Sequence, residues 1–432
     1  MTKVKEVAQA IAQAGGQSYF VGGFVRDYLL DRPSHDIDVE VFHLEPHRLY
    51  HILSRFGQVK KVGKAFSIFL VKGEGLNNID FSLPQGPPHE SVWRRDFTMN
   101  ALLMDVLTGE IYDYVNGRED IKQKILRHVS ENVFRDDPLR ILRAIQLAAR
   151  LEFTIHQDTL KLMAKDLFLL HTIPRERVYG EFKKLLLQAA KPSVGLRYLQ
   201  KIGGLELFPE LQAMVNCPQP PNHHPEGDVW EHTLLVVDEA AKLRPQAKYP
   251  EGLMWAALCH DLGKPATYKA ENSIITFHGH AAVGAELAQK FMQRFTKEKK
   301  LIDYVTTMVK EHMSPFFLYK NNATDAAVRR LAVRIDLDEL LLLVRADDAG
   351  RGLGTKPRID DMLAWLAEKK EKLSLPKITP LLKGRHLLEM GLEPGPLFGT
   401  ILKEAFAMQL DGADFPQIYQ TIKNKYAPKQ QK

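Results

Sequence analysis

Tyr19-Phe-Val-Gly-Gly-Phe-Val-Arg-Asp-Tyr-Leu-Leu-Asp31, followed shortly by Asp36-Ile-Asp-Val-Glu-Val41, decides how the chain begins to fold. Gly22-Gly23 predicts a tight turn into a short helix whose first N–H groups are free to meet phosphate. Residues 37–41 alternate with period two, the pattern of a strand. Ile37, Val39 and Val41 then face a core, and Asp36, Asp38 and Glu40 face the other way. Asp36 and Asp38 would lie roughly 6.5–7 Å apart at Cα, a spacing that lets both grip one or two divalent ions. Asn78-Ile-Asp-Phe-Ser-Leu83 alternates too, with Ile79, Phe81 and Leu83 inward and Asp80 outward. Set beside the first strand, it adds Asp80 as a third carboxylate. An all-oxygen site of this kind suits Mg2+ completed by substrate phosphates. Alone, Asp-x-Asp reads as a solvent-facing strand and Gly-Gly as a simple turn. Together they put a phosphate cradle beside a metal-binding strand, which fits a nucleoside triphosphate.

The 432 residues allow two to four domains, and 45% hydrophobic with 26% charged content is ordinary for a soluble globular protein. No apolar run reaches the length of about 18 residues that a membrane helix needs. The N-terminus reads as an amphipathic helix without a signal peptide's apolar core. Two cysteines, Cys217 and Cys259, cannot build a disulfide framework, so a reducing cytoplasm is expected. A net charge of +6 favours a polyanion such as RNA, but only mildly. Strand signals occupy residues 1–125, where Ser67-Ile-Phe-Leu-Val71 and Asn78–Leu83 read as an antiparallel pair beside the Asp36 strand. Helical periodicity dominates beyond. Pro218-Gln-Pro-Pro-Asn-His-His-Pro225 and Gly350–Pro357 read as breaks, and the basic tail Asn424–Lys432 as a fraying end.

Trp93-Arg-Arg-Asp-Phe-Thr-Met-Asn-Ala-Leu102 reads as a helix with Asp96 and Asn100 on one side. Arg94 and Arg95 offer forked donors for triphosphate oxygens. In Phe134-Arg-Asp-Asp-Pro-Leu-Arg-Ile-Leu-Arg-Ala144, Asp136 can cap a helix and Pro138 suits its first turn. Asp137 and Arg140 share a face, which a surface ion pair would also explain. A more specific reading follows from base edges. Cytosine and adenine each show an amino donor beside a ring-nitrogen acceptor. A carboxylate accepts from the amino group while a guanidinium donates to the nitrogen. Guanine and uracil present the reverse order, so this pair would pass C and A and reject G and U.

The Gly-Gly-x-Val-Arg-Asp and Asp-x-Asp pieces resemble the head of class II tRNA nucleotidyltransferases, the CCA-adding family related to bacterial poly(A) polymerases. The Arg94–Ala101 stretch resembles the family's ribose- and triphosphate-binding motif, and Asp136–Arg140 its Glu-Asp-x-x-Arg template motif, with aspartate in place of glutamate. Pro174-Arg-Glu-Arg-Val-Tyr-Gly-Glu-Phe182 resembles a neck motif, with Arg177 and Glu181 expected to pair. The resemblance implies an α+β head of the DNA polymerase beta-like type (residues 1–125), then a helical neck and body (126–215). Asp36, Asp38 and Asp80 would be catalytic there, with Asp36 and Asp38 binding Mg2+ and Asp80 assisting. Gly22, Gly23, Arg26, Arg94, Arg95, Asp96, Asn100, Asp137, Arg140 and Arg143 would bind nucleotide.

Trp230-Glu-His-Thr-Leu234, Ala257-Leu-Cys-His-Asp-Leu-Gly-Lys264, Gly279-His-Ala281, Lys310-Glu-His-Met313 and Arg345-Ala-Asp-Asp-Ala349 come in an order that resembles the HD phosphohydrolase superfamily. That resemblance implies an all-α metal-dependent domain (216–355). His232, His260, Asp261 and Asp347 would be its ligands, His280 and His312 would extend the set, and a helical tail (356–432) would follow. Asp347 is preferred over its neighbour Asp348. Imidazoles with carboxylates suit Mn, Fe, Ni or Co.

The family implies tRNA, CTP and ATP as partners, no membrane, and addition of C and A to the tRNA 3′ end without a nucleic acid template, releasing pyrophosphate. One departure bears on the product. Full CCA-adding members have a longer, loop-bearing segment before the Arg-Arg-Asp motif, whereas Asp80-Phe-Ser-Leu-Pro-Gln-Gly-Pro-Pro-His-Glu-Ser-Val-Trp-Arg94 closes that gap quickly. CC addition is the expectation. The rivals are a poly(A) polymerase and an HD phosphohydrolase with an RNA-gripping head. The HD domain is expected to act on a phosphoester, with 2′,3′-cyclic phosphate at a damaged tRNA end the favoured substrate.

Overall fold

A computed structural model describes residues 2–34, 36–62, 68–73, 75–76, 79–272, 274–351, 359–373 and 378–427. The chain divides into two compact units, residues 1–189 with 194–205, and residues 190–193 with 206–432.

In the first unit, helix α1 (Thr2–Gln13) buries Val4, Val7, Ala8 and Ile11, an i, i+3, i+4, i+7 stripe. Seven strands follow: β1 (Gln17–Val21), β2 (Ile37–Phe42), β3 (Gln58–Val62), β4 (Ile68–Lys72), β5 (Ile79–Ser82), β6 (Leu103–Asp105) and β7 (Ile111–Tyr112). They form one sheet in the order β3-β4-β5-β2-β1-β6-β7. β4 and β5 pair antiparallel as expected, and β5 lies beside β2 in parallel. The register sets Asp38 opposite Asp80, and Val39 opposite Phe81. Alternation does the rest: Val39, Val41, Ile79 and Phe81 are buried, while the carboxylates share the other face.

Between β1 and β2 lie Gly22 and helix α2 (Gly23–Leu29). Gly22 has φ 67° and ψ −138°, a conformation open essentially to glycine alone. The Trp93–Leu102 stretch is not the expected helix. It forms two single 3₁₀ turns, Val92–Arg94 and Thr98–Asn100, with extended backbone at Arg95 and Phe97. The helix Leu139–Leu151 packs against Arg175–Gln188, its apolar side buried. Asp137, not Asp136, meets its start, where Oδ1 accepts from the Leu139 N–H at 3.2 Å.

The second unit is helical, with a small hairpin, Lys269–Glu271 against Ile274–Thr276, that helical periodicity did not announce. Its centre is the helix Pro250–Cys259, apolar on all sides and buried along most of its length. Helices Val229–Leu243, Lys299–Glu311 and Leu337–Ala349 pack on it. Gly263 explains why the His260–Lys264 turn lies so close to helix His280–Phe295. A Cβ there would stand 2.1 Å from the His280 carbonyl oxygen and 2.5 Å from the Gly284 nitrogen. Leu382, Leu387, Met390, Ile401, Ala405, Ile418 and Ile422 make a separate apolar cluster in the tail. The last helix runs to Tyr426, so residues 424–426 are ordered helix rather than a frayed end. The 350–357 break lies largely outside the described residues, as do residues 428–432.

Candidate functional site

In the first unit a cleft of about 250 Å³ is lined by Gly22, Gly23, Asp38, Arg94, Arg95, Asp96, Asn100, Asp137, Leu139, Arg140, Arg143 and Arg177. Nine of the ten expected nucleotide-binding residues thus lie on one wall or another. The exception is Arg26, which is buried behind the wall. It donates to Asn100 Oδ1 at 2.8 Å. Asn100 donates to Asp96 Oδ1 at 2.9 Å, and Arg143 Nε lies 2.8 Å from Asp96 Oδ2. This chain ties α2, the Thr98–Asn100 turn and the Leu139–Leu151 helix together under the cleft floor. Glu40, third acid of the strand, is buried and reaches Arg95 Nη2 at 2.5 Å.

Asp38 opens on the cleft, yet burial of its carboxylate raises its pKa; Arg95 works against this, while Asp80 and Asp36 add to it. Asp80 is raised by desolvation first and then by Asp36. The three acids raise one another's proton affinity, but their oxygens do not close into one cluster within 4.8 Å, and of the three only Asp38 lines the cleft. The residues fit Mg2+: they are all oxygen donors, and arginines on the facing wall suit the phosphates that such an ion would carry.

Asp137 and Arg140 do not form the helical ion pair that their spacing allowed. Asp137 Oδ2 is held by Arg177 Nη2 at 2.7 Å. Arg140 donates to the carbonyls of Arg94, at 2.7 Å, and of Val133, at 3.3 Å. The expected Arg177–Glu181 pairing is corrected accordingly: Arg177 crosses to Asp137, just ahead of the helix Leu139–Leu151, and Glu181 takes Lys184 at 2.9 Å.

In the second unit all six expected ligands converge. His232, His260 and Asp347 place ligand atoms within 4.8 Å of one another, and so do Asp261, His280 and His312. Asp261 links the trios, with Oδ2 at 3.2 Å from His260 Nε2 and Oδ1 at 3.7 Å from His280 Nε2. Asp347, the preferred aspartate, is the one that joins His232 and His260, while its neighbour Asp348 pairs with Arg351 at 3.1 Å. His260, His280 and His312 each set Nδ1 on a carbonyl three residues earlier, at 2.8, 2.9 and 2.6 Å. A carbonyl only accepts, so each Nδ1 carries the proton and each Nε2 presents a lone pair. His260 Nε2 is buried without a hydrogen-bond partner. An orphaned imidazole nitrogen facing carboxylates is what a divalent transition metal requires, and the residues fit one.

Burial opposes the charge on Asp261, but His260 and Lys264 hold its pKa well below the usual carboxylate range. Burial likewise opposes, and the bond from His232 outweighs it, for Asp347, also held low. His232 itself is raised despite burial, by Asp347 and Glu226. Burial pushes His312 down to about 4. A cleft of about 600 Å³ opens over this centre, with Lys264, Phe277, Phe316, Phe317 and Lys320 among its walls.

The head model of poly(A) polymerases matches residues 18–80 and 86–127, the probable RNA- and SrmB-binding model of polymerase A matches 152–214, and the HD domain model matches 229–350. A multifunctional CCA protein of Actinobacillus pleuropneumoniae is 37% identical over 320 residues, covering 68% of this chain and 75% of the relative. The chain belongs to the multifunctional CCA protein family, the CCA-adding tRNA nucleotidyltransferases. Like them it is a nucleotidyltransferase. Two solved CCA-adding enzymes share the fold. That of Thermotoga maritima, complexed with tRNA, has a TM-score of 0.64 at 20% identity, covering 98% of this chain and 94% of its own. That of Bacillus stearothermophilus, in complex with CTP, has a TM-score of 0.67 at 23% identity, covering 98% and 97%. No helix among the described residues is long and apolar enough to cross a membrane.

Set against the family motifs, three residues escaped the sequence reading. The neck motif leads one to expect only that Arg177 pairs with Glu181, and the fold puts it on the cleft wall. His224 and Glu226 lie in or beside the Pro218–Pro225 loop, taken as a boundary. Glu226 Oε1 stands 2.7 Å from His232 Nδ1. The available signal was a His and a Glu a few residues ahead of His232.

Proposed function

We propose that this chain adds C to the 3′ end of tRNA from CTP and stops after CC. The observation that carries the second half is the connector from β5, ending at Ser82, to the helix starting at Pro88. It holds Leu83-Pro-Gln-Gly-Pro87, with no length for a mobile loop between the carboxylates and the Arg94–Arg95 wall. The family resemblance leads one to expect a longer segment there in full CCA-adding members, and its shortness here supports the reading.

The tRNA terminus enters toward Asp36, Asp38 and Asp80, and the triphosphate lies along Gly22-Gly23, Arg94, Arg95 and Arg143. Divalent ions held by Asp36 and Asp38 would neutralise triphosphate oxygens when bound. The 3′-oxygen bonds to the α-phosphorus, the bond from that phosphorus to the β-phosphate oxygen breaks, and pyrophosphate leaves. Asp80, opposite Asp38 in the sheet register, would assist by taking the hydroxyl proton. Asp137 accepts from the base amino group while Arg140 donates to the ring nitrogen. Arg177 and the Arg94 carbonyl hold these two groups apart until a base enters.

The HD centre reads as a phosphohydrolase, favoured by the two ligand trios under an open cleft. Ions there would activate water toward a phosphoester near neutral pH. A terminal 2′,3′-cyclic phosphate suits it, since opening and removing that group restores the hydroxyl the head requires. Extension of tRNA lacking its CCA end, with CTP and ATP separately and together, tests the main reading. The product should stop at two added C residues with both triphosphates present. A complete CCA end would refute CC-only addition, and long A tails would indicate a poly(A) polymerase.

A further inference from the structure

Four imidazoles surround the HD centre, and one is held differently from the others. His260, His280 and His312 lean on backbone carbonyls. His232, fully buried in the helix Val229–Leu243, turns Nδ1 instead to a carboxylate, Glu226 Oε1 at 2.7 Å. The approach is close but outside hydrogen-bond geometry. The Glu226 side chain is 3% exposed, and the same Oε1 lies 2.8 Å from His224 Nδ1. Its Oε2 is buried without a hydrogen-bond partner. A buried carboxylate in this position is costly unless the group it faces gains from the charge.

We propose that Glu226 is a positioning residue that makes the His232–His260–Asp347 trio the tighter of two ion positions, with His224 steadying Glu226. The inference rests on the reading of this centre as a metal site. A carboxylate behind a ligating imidazole fixes its ring and raises the basicity of the nitrogen facing the ion. On this side His232 Nε2 lies 3.0 Å from Asp347 Oδ1, so two carboxylates act on one imidazole. The other trio is weaker on both counts. His280 and His312 have only carbonyls behind them, and their Nε2 atoms face each other at 3.2 Å. Its carboxylate, Asp261, is also drawn on by the Lys264 ammonium at 2.6 Å. Lys264 in turn donates to Gln219 Oε1 at 2.7 Å, so it is held on that side.

The test is a Co2+ titration of the full chain against a competing chelator, read by visible absorption. The native chain should fill in two steps. Glu226→Gln should weaken the first step about 10–100-fold and leave the second in place, with Glu226→Asp intermediate. His280→Ala should remove the second step alone. Melting of the metal-free variants separates a positioning effect from misfolding. If Glu226→Gln does not fold, His224→Gln serves instead and should weaken the first step by a smaller factor. Unchanged first-step affinity in the folded variant, or equal weakening of both steps, overturns the proposal while leaving the metal site standing. No Co2+ uptake by the native chain overturns the metal site itself.

Discussion

Substituting Gly22 by alanine separates two causes of damage that are usually confounded. A Cβ at Gly22 would find Arg95 Nη1 at 3.4 Å and Asp38 Oδ2 at 3.5 Å, ordinary contact with side-chain ends. Space is therefore not the obstacle. The backbone is: φ 67° with ψ −138° costs an L-residue about 1–3 kcal/mol. For a unit of this size that lowers Tm by roughly 2–4 °C per kcal/mol. The turn can relax only by rotating the wall that carries Asp38 and Arg95, and a shift of about 1 Å at reacting groups costs on the order of 10²-fold in rate. Gly23 is the control. Its φ is outside the left-handed region, and its Cβ would meet the guanidinium of the buried Arg26, with Nη2 at 3.3 Å, which must give by a few tenths of an ångström. Gly23→Ala should lower Tm less than Gly22→Ala. The assays are thermal melting and single-turnover C incorporation into tRNA lacking CCA. A Gly22→Ala protein with native Tm and rate, or a Gly23→Ala protein equally destabilised, would refute the backbone argument.

Asp38→Ala should abolish nucleotide incorporation and spare phosphoester hydrolysis, and Asp261→Ala the reverse; incorporation surviving Asp38→Ala would remove the transferase assignment from this site. Asp137→Ala should lower the preference for CTP over UTP by at least about 10²-fold, measured as a ratio of kcat/KM values, because the amino group loses its acceptor. In chelator-treated protein, His312, held down to about 4 by burial, binds its proton more readily when unfolded. Its contribution to stability is present above its ordinary value of 6.5 and is lost as pH falls toward 4, so Tm should drop across that window, less so in His312→Gln. Cys259, fully buried with its thiol raised, should resist alkylation in the native chain and react only on unfolding.

Much of the head was legible because its chemistry is local. Period-two alternation puts Asp36 and Asp38 on one face of their strand and Asp80 on the polar face of its own, and the parallel β2–β5 register sets Asp38 against Asp80. The HD ligands were legible as types and order, since imidazole and carboxylate have few other reasons to recur in that arrangement. Secondary structure between Trp93 and Leu102 was misread because its hydrogen bonds are tertiary. Thr98 N–H goes to the Arg127 carbonyl at 2.9 Å, and Asp96 serves Phe97, Asn100 and Arg143 rather than a helix.

The candidate groups for chemistry and the faces they stand on were legible in the sequence, because alternation and helical spacing are properties of the local chain. The sequence also carried the short connector before Arg94, a matter of counting residues. Tertiary structure alone decided which partner each charge takes. Asp137 goes to Arg177 and not to Arg140, Asp347 and not Asp348 meets His232, and Glu226 reaches back to His232. Ion pairs and hydrogen bonds act over a few ångströms, so their partners are set by how elements pack and not by distance along the chain.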